Sequence, residues 1–142
     1  MPNTKPVGVA FSDPELVAGT TITGATISNS TITGGTLSSP TLTGAATVTA
    51  AQLANGLFTF DGTAGAMTLP TVALLEDEIS SAAKVNAAFT FAVVNIDSAD
   101  AVTVTAGTGW TIVGTAAVSA NTSSQWLARK TGTGTWTAYR IA

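Results

Sequence analysis

Eight acidic and five basic side chains are the only charged residues in this chain of 142, which contains neither His nor Cys. The carboxylates are the first residues to weigh for chemistry. Glu76-Asp77-Glu78 offers three in a row, but consecutive side chains point different ways and no second acidic cluster lies near in sequence. A helix start or a solvated surface is a plainer use of the triplet than a metal or acid–base site. Asp97 and Asp100 fall in a connection between strands. A loop calcium site needs about six oxygen ligands, whereas a turn needs only an Asp that bonds nearby backbone. A glycosidase would need two facing carboxylates, and nothing in the spacing of Asp61 and the other acids supports such a pair. The missing His and Cys remove the usual general base, the thiolate nucleophile and the commonest zinc ligands. The sequence predicts no enzyme, no cofactor and no metal.

The remaining motifs have equally plain uses. Gly107-Thr108-Gly109 and Gly132-Thr133-Gly134 are fragments of a phosphate loop, but no Gly-Lys-Ser/Thr run or helical pattern follows either, so both read as hairpin turns. Trp110, Trp126, Trp136 and Tyr139 could make a sugar platform; at strand spacing they read instead as core and interface anchors. Arg129, Lys130 and Arg140 place three of the five basic residues on the last predicted hairpin, a candidate surface for an acidic neighbour. The net charge of −3 and the absence of a basic stripe argue against nucleic acid as partner. The polar N-terminus lacks a signal peptide's apolar run, and no window reaches the roughly 18 apolar residues of a membrane helix, so we expect no membrane association and synthesis in a cytoplasm.

The elements that position these residues fall into three predicted segments. Residues 1–20 carry Pro2, Pro6 and Pro14 and read as an extended arm, whose Val7, Val9, Phe11 and Leu16 are candidates for docking on a partner. Residues 21–50 contain five copies of one pentad: Thr-Ile-Thr-Gly-Ala, Thr-Ile-Ser-Asn-Ser, Thr-Ile-Thr-Gly-Gly, Thr-Leu-Ser-Ser-Pro and Thr-Leu-Thr-Gly-Ala. A period of five matches neither helix nor flat strand, so each pentad reads as a brief strand plus a corner. Ile22, Ile27, Ile32, Leu37 and Leu42, with Val48 after a slip in phase, would then share an axis. Five pentads are too few to bury that axis alone, and three chains wound as a β-helical or β-prism stem would close it.

Residues 51–142 show short alternating strands at roughly ten-residue spacing, including Phe58 and Phe60 before an Asp61-Gly62 turn. Leu74 to Ile79 is the only predicted helical stretch. The pattern predicts an all-β domain, a β-sandwich or jelly roll.

The pentad run resembles the stem repeats of tailed-bacteriophage fibres, spikes and other trimeric virion proteins. The segment from Val102 to Ala142, with Thr-Ala-Gly-Thr-Gly-Trp-Thr-Ile-Val-Gly and Arg-Lys-Thr-Gly-Thr-Gly-Thr-Trp-Thr-Ala-Tyr-Arg-Ile, is similar to the last strands of small phage structural β domains. The length suits a capsid cement or decoration protein better than a long receptor-binding fibre. The resemblance implies a homotrimer on the phage head surface, made in the host bacterial cytoplasm, that bridges neighbouring major capsid subunits. The arm residues and Arg129, Lys130 and Arg140 would be the capsid contacts. Alternatives are a short head fibre or tail appendage that binds the host surface, favoured by an exposed Trp110 or Trp136, and a virion-associated glycan hydrolase.

Overall fold

The structure, a computed structural model, describes residues 39–79 and 84–142. Of these residues, strands make up 47% and helices 14%, in two sheets, so the described part is β-rich as expected. Ile22, Ile27, Ile32 and Leu37 of the predicted axis, and Val7, Val9, Phe11 and Leu16 of the arm, lie outside the described residues.

The chain alternates between the sheets. The first sheet begins with β1 (Thr41–Leu42), β3 (Leu57–Phe60) and β5 (Ala88–Asn95), the second with β2 (Ala46–Thr47), β4 (Gly65–Thr68) and β6 (Val102–Thr105), and within each trio the strands run parallel. A pass therefore runs up one sheet, turns a corner, runs along the other and returns to lie beside its predecessor. Helix α1 (Ala50–Asn55) forms part of the first return and α2 (Val72–Ile79) part of the second. After the third pass come β7 (Trp110–Val113) in the first sheet and β8 (Ala117–Val118) in the second, and then β9 (Thr122–Gly132) and β10 (Thr135–Arg140) complete the first sheet in the order β1-β3-β5-β9-β10-β7.

Several expectations change with this topology. Gly107-Thr108-Gly109 is not a hairpin turn, and the turn expected at Asp61-Gly62 is a corner, because the strands on either side of each belong to different sheets. Only the turn at Gly132-Thr133-Gly134 joins paired antiparallel neighbours, β9 and β10. A jelly roll pairs its strands antiparallel, and the parallel ladders depart from that. Helix α1, unforeseen in the sequence reading, is closed at both ends. The Thr49 backbone N–H donates to Gln52 Oε1 at 2.8 Å, Thr49 Oγ1 accepts from the Gln52 N–H at 3.1 Å, and Gly56 ends the helix at φ 80°.

The pentad unit continues into the domain. Parallel pairing sets Thr41 beside Thr59 and Leu42 beside Phe60, which lays Thr41-Leu42-Thr43-Gly44 on Thr59-Phe60-Asp61-Gly62. Leu42, Phe60 and Asn95 form one inward column. Its polar member is satisfied: the Asn95 side-chain N–H groups donate to the carbonyls of Asp100 and Val118 at 2.8 and 3.0 Å, and its Oδ1 accepts from the Asp97 N–H. Leu42 and Val48 belong to this chain's own core, which draws on both sheets and both helices, so their burial needs no second chain. The corners are tight enough to select glycine. A Cβ on Gly62 would collide with the backbone carbonyl of Thr43, and one on Gly65 would stand 2.5 Å from the Ala45 nitrogen, while one on Gly44 would meet Thr63 Oγ1 at an ordinary 3.5 Å.

Gly62→Ala should therefore destabilise the domain by at least about 1–3 kcal/mol, the usual cost of forcing atoms into a packed site. Gly44→Ala should stay within about 0.5 kcal/mol of the parent. Urea unfolding of the two variants side by side checks this, and equal midpoints would show that the corner has room to relax.

Candidate functional site

Two places gather the side chains that the sequence singled out. The first joins α2 to the last hairpin. The Lys130 ammonium lies 2.7 Å from Glu76 Oε1, and the Trp136 indole N–H donates to the same oxygen at 2.9 Å. Alternation along β9 turns Lys130 inward and Arg129 outward, and Lys130 is only 8% exposed. The expectation that Lys130 offers a contact to a capsid is thus corrected: its charge is neutralised inside its own chain. Lys130, and then the Trp136 N–H, hold the Glu76 carboxyl below the usual carboxylate range.

The other basic candidates sit differently. Arg129 is exposed and donates to Asn86 Oδ1, while Arg140 donates to the carbonyls of Ala117, Thr115 and Ala142 at 2.7, 3.1 and 3.1 Å, tying the end of β10 to the segment that enters β8. Arg129 alone of the three lies on an open face.

The aromatic residues make no platform. Trp126 is fully buried and stacks on Phe91 with centroids 6.0 Å apart, and Trp136 sits between Phe89 and Trp110 at 5.7 and 6.0 Å. The Trp110 N–H donates to the Pro70 carbonyl at 2.8 Å. The core reading of these residues holds. Asp97 is a turn residue, accepting from the Ala99 and Asp100 N–H groups at 2.8 and 2.6 Å, and these donors lower its pKa. Among the described residues, no three acidic side chains come together as metal ligands, and no helix is long and apolar enough to cross a membrane.

The second place is a groove of about 780 Å3 that no sequence motif announced. Its wall is made where three successive passes leave the second sheet. The Val48 N–H donates to the Thr68 carbonyl, and the Leu69 N–H to the Thr105 carbonyl, both at 2.9 Å. Thr49 and Thr71, the residues before α1 and α2, line the wall with Pro70, and Leu74, Asp77 and Glu78 project from α2 along the other side. The three consecutive acids therefore diverge: Glu76 turns to Lys130, and Asp77 and Glu78 face the groove. The spacing Thr49-x-x-Gln52, with Gly56 beyond, was the signal that α1 would start here.

Compared with known proteins, the chain matches no family model, no curated protein and no solved structure.

A carboxylate with a lowered folded pKa adds stability above its unfolded value of about 4.3, and that stability is lost as the pH falls through the lower folded value. Glu76→Gln should cost roughly 1–3 kcal/mol at pH 7, because Lys130 keeps its charge without a counter-ion. It should also flatten the loss of stability below about pH 4 that the parent shows. Urea midpoints from pH 7 down to 3 measure both effects, with Asp77→Asn as the surface control; parallel profiles for parent and Glu76→Gln would mean that the ion pair contributes nothing.

Proposed function

We propose that the chain is a structural component of a phage virion: a homotrimeric cement or decoration protein that binds the assembled head and bridges neighbouring major capsid subunits. The observation that carries this reading is the fold of the fifth pentad. Thr41 to Ala45 forms a short strand followed by a corner, in register with the next pass, and this is the unit that the sequence assigns to all five. On this reading the upstream pentads repeat the unit as a β-helical or β-prism stem shared by three chains, with Ile22, Ile27, Ile32 and Leu37 on the common axis. The two sheets of the C-terminal part would form a β-sandwich. The capsid-facing surface would include the outer face of the last hairpin around Arg129.

Such a protein works by mass action. A partner that binds only the assembled shell adds its own binding free energy to the stability of that shell, and three linked sites multiply the effect. No catalytic group is needed. A short fibre that binds host glycans gains no support from the aromatic residues, since Trp110, Trp126 and Trp136 are buried at 8%, 0% and 1% exposure.

Light scattering coupled to size exclusion should give three times the chain mass, unchanged on dilution. Replacing Ile27 and Ile32 by Asp should reduce it to one chain mass, because unpaired carboxylates on a shared apolar axis are costly. Heads of the encoding phage assembled without the protein should bind the parent and gain resistance to heat. A parent that is monomeric and does not bind heads would end this reading.

A further inference from the structure

The groove beside α2 has features that the homotrimer does not by itself require. Leu74, Asp77 and Glu78 stand at i, i+3 and i+4, the spacing that puts side chains on one helix face. Leu74 is 57% exposed, the most exposed large apolar side chain among the described residues. Both acids are exposed, and the ion pair formed among the described residues uses Glu76 instead. The rest of the accessible lining comes from the exposed Thr49, Ala51, Ala106 and Thr108, with Val48, Leu69 and Pro70 buried beneath them. A lining of small side chains beside an exposed Leu74 and two carboxylates suits an extended, cationic segment.

The chain contains one such segment. Lys5 is the only basic residue among the first 60, and residues 1–12 carry no acid. Pro2 and Pro6 favour extended backbone around it, and Val7, Val9 and Phe11 alternate, so that an extended chain presents all three on one side. Past this point the match ends: Asp13 and Glu15 reverse the charge, and Leu16 to Phe60 carry no charged residue.

We propose that the groove of each chain receives residues 1–12 of a second copy, with Lys5 between Asp77 and Glu78 and the three alternating apolar side chains along Leu74 and the small residues beside it. This rests on the homotrimer reading and gives the arm a role in it: the arm would fasten copy to copy, leaving Arg129 and its surroundings for the shell.

Because the chain has no Cys, introduced thiols report only on their own positions. Full-length Lys5→Cys and Glu78→Cys chains, co-expressed and treated with a short bismaleimide, should give a covalent heterodimer on a denaturing gel that neither chain forms alone. Adding Asp77→Lys to the Glu78→Cys chain should cut the yield several-fold. Light scattering on the same samples separates the two ideas. A monomer throughout overturns both the homotrimer and the docking, whereas a trimer that yields no heterodimer overturns the docking alone. A Lys5→Cys/Glu78→Cys double variant that links only within single chains overturns the second copy as the source.

Discussion

Each pass of the chain lies parallel to the one before it, so none of the first six strands can pair with its neighbour in sequence. Parallel neighbours need a crossover, and here the crossover is an excursion through the other sheet. The corner of one pass then rests on the corner of the last, leaving no volume for a side chain at Gly62 or Gly65. The same stacking lines up Leu42, Phe60 and Asn95 and makes the core a set of columns. It also lets the return segments vary. Thr41 pairs with Thr59 but Phe60 with Asn95, so the interval grows from 18 residues to 35 without disturbing the ladder.

Composition and alternation were enough to read the β-rich character, the helical stretch ending at Ile79, the last hairpin and the burial of the tryptophans. Topology was not legible, for a physical reason. Asp61-Gly62 between two alternating runs is a strong local hairpin signal, yet the same residues also suit a corner between sheets, and which one forms depends on partners that are 18 or more residues away. The likeness of this stretch to the fifth pentad was in view but hidden by two substitutions: Phe60 stands for Leu or Ile and Asp61 for Thr or Ser, so Thr59-Phe60-Asp61-Gly62 does not read as another copy. The groove was illegible because it is built from three returns and one helix face, and no local pattern marks their convergence.

Charge is distributed to the same end. In a chain with so few ionised groups, most of a sheet can be covered by Thr, Ser and Ala, and the charged residues are left for particular tasks. Glu76 and Lys130 join helix to sheet across 54 positions of sequence, with the Trp136 N–H as a third member, while Asp97 shapes a turn. Separating the partners of such a pair leaves a partly buried charge uncompensated, so the pair penalises arrangements in which helix and sheet come apart. Here the arrangement fixed is the seat of α2 against β9 and β10, which in turn sets where Leu74, Asp77 and Glu78 point.

β10 lies between β9 and β7, and the order in which the chain is made gives that position weight. Among the described residues, strand β7 has its ladder partner only in β10, whose first residue comes 25 positions after Trp110. During synthesis β7 therefore leaves the ribosome before its partner, as a strand rich in Trp, Ile and Val, and its edge stays open until β10 slots in beside it. A nascent chain in that state has a sticky edge. Just past β10, Gln125 exchanges backbone hydrogen bonds with Ile141 and Ala142, so the strand that shields β7 is itself held on β9 beyond its own ladder, and loosening that hold would bare the β7 edge again.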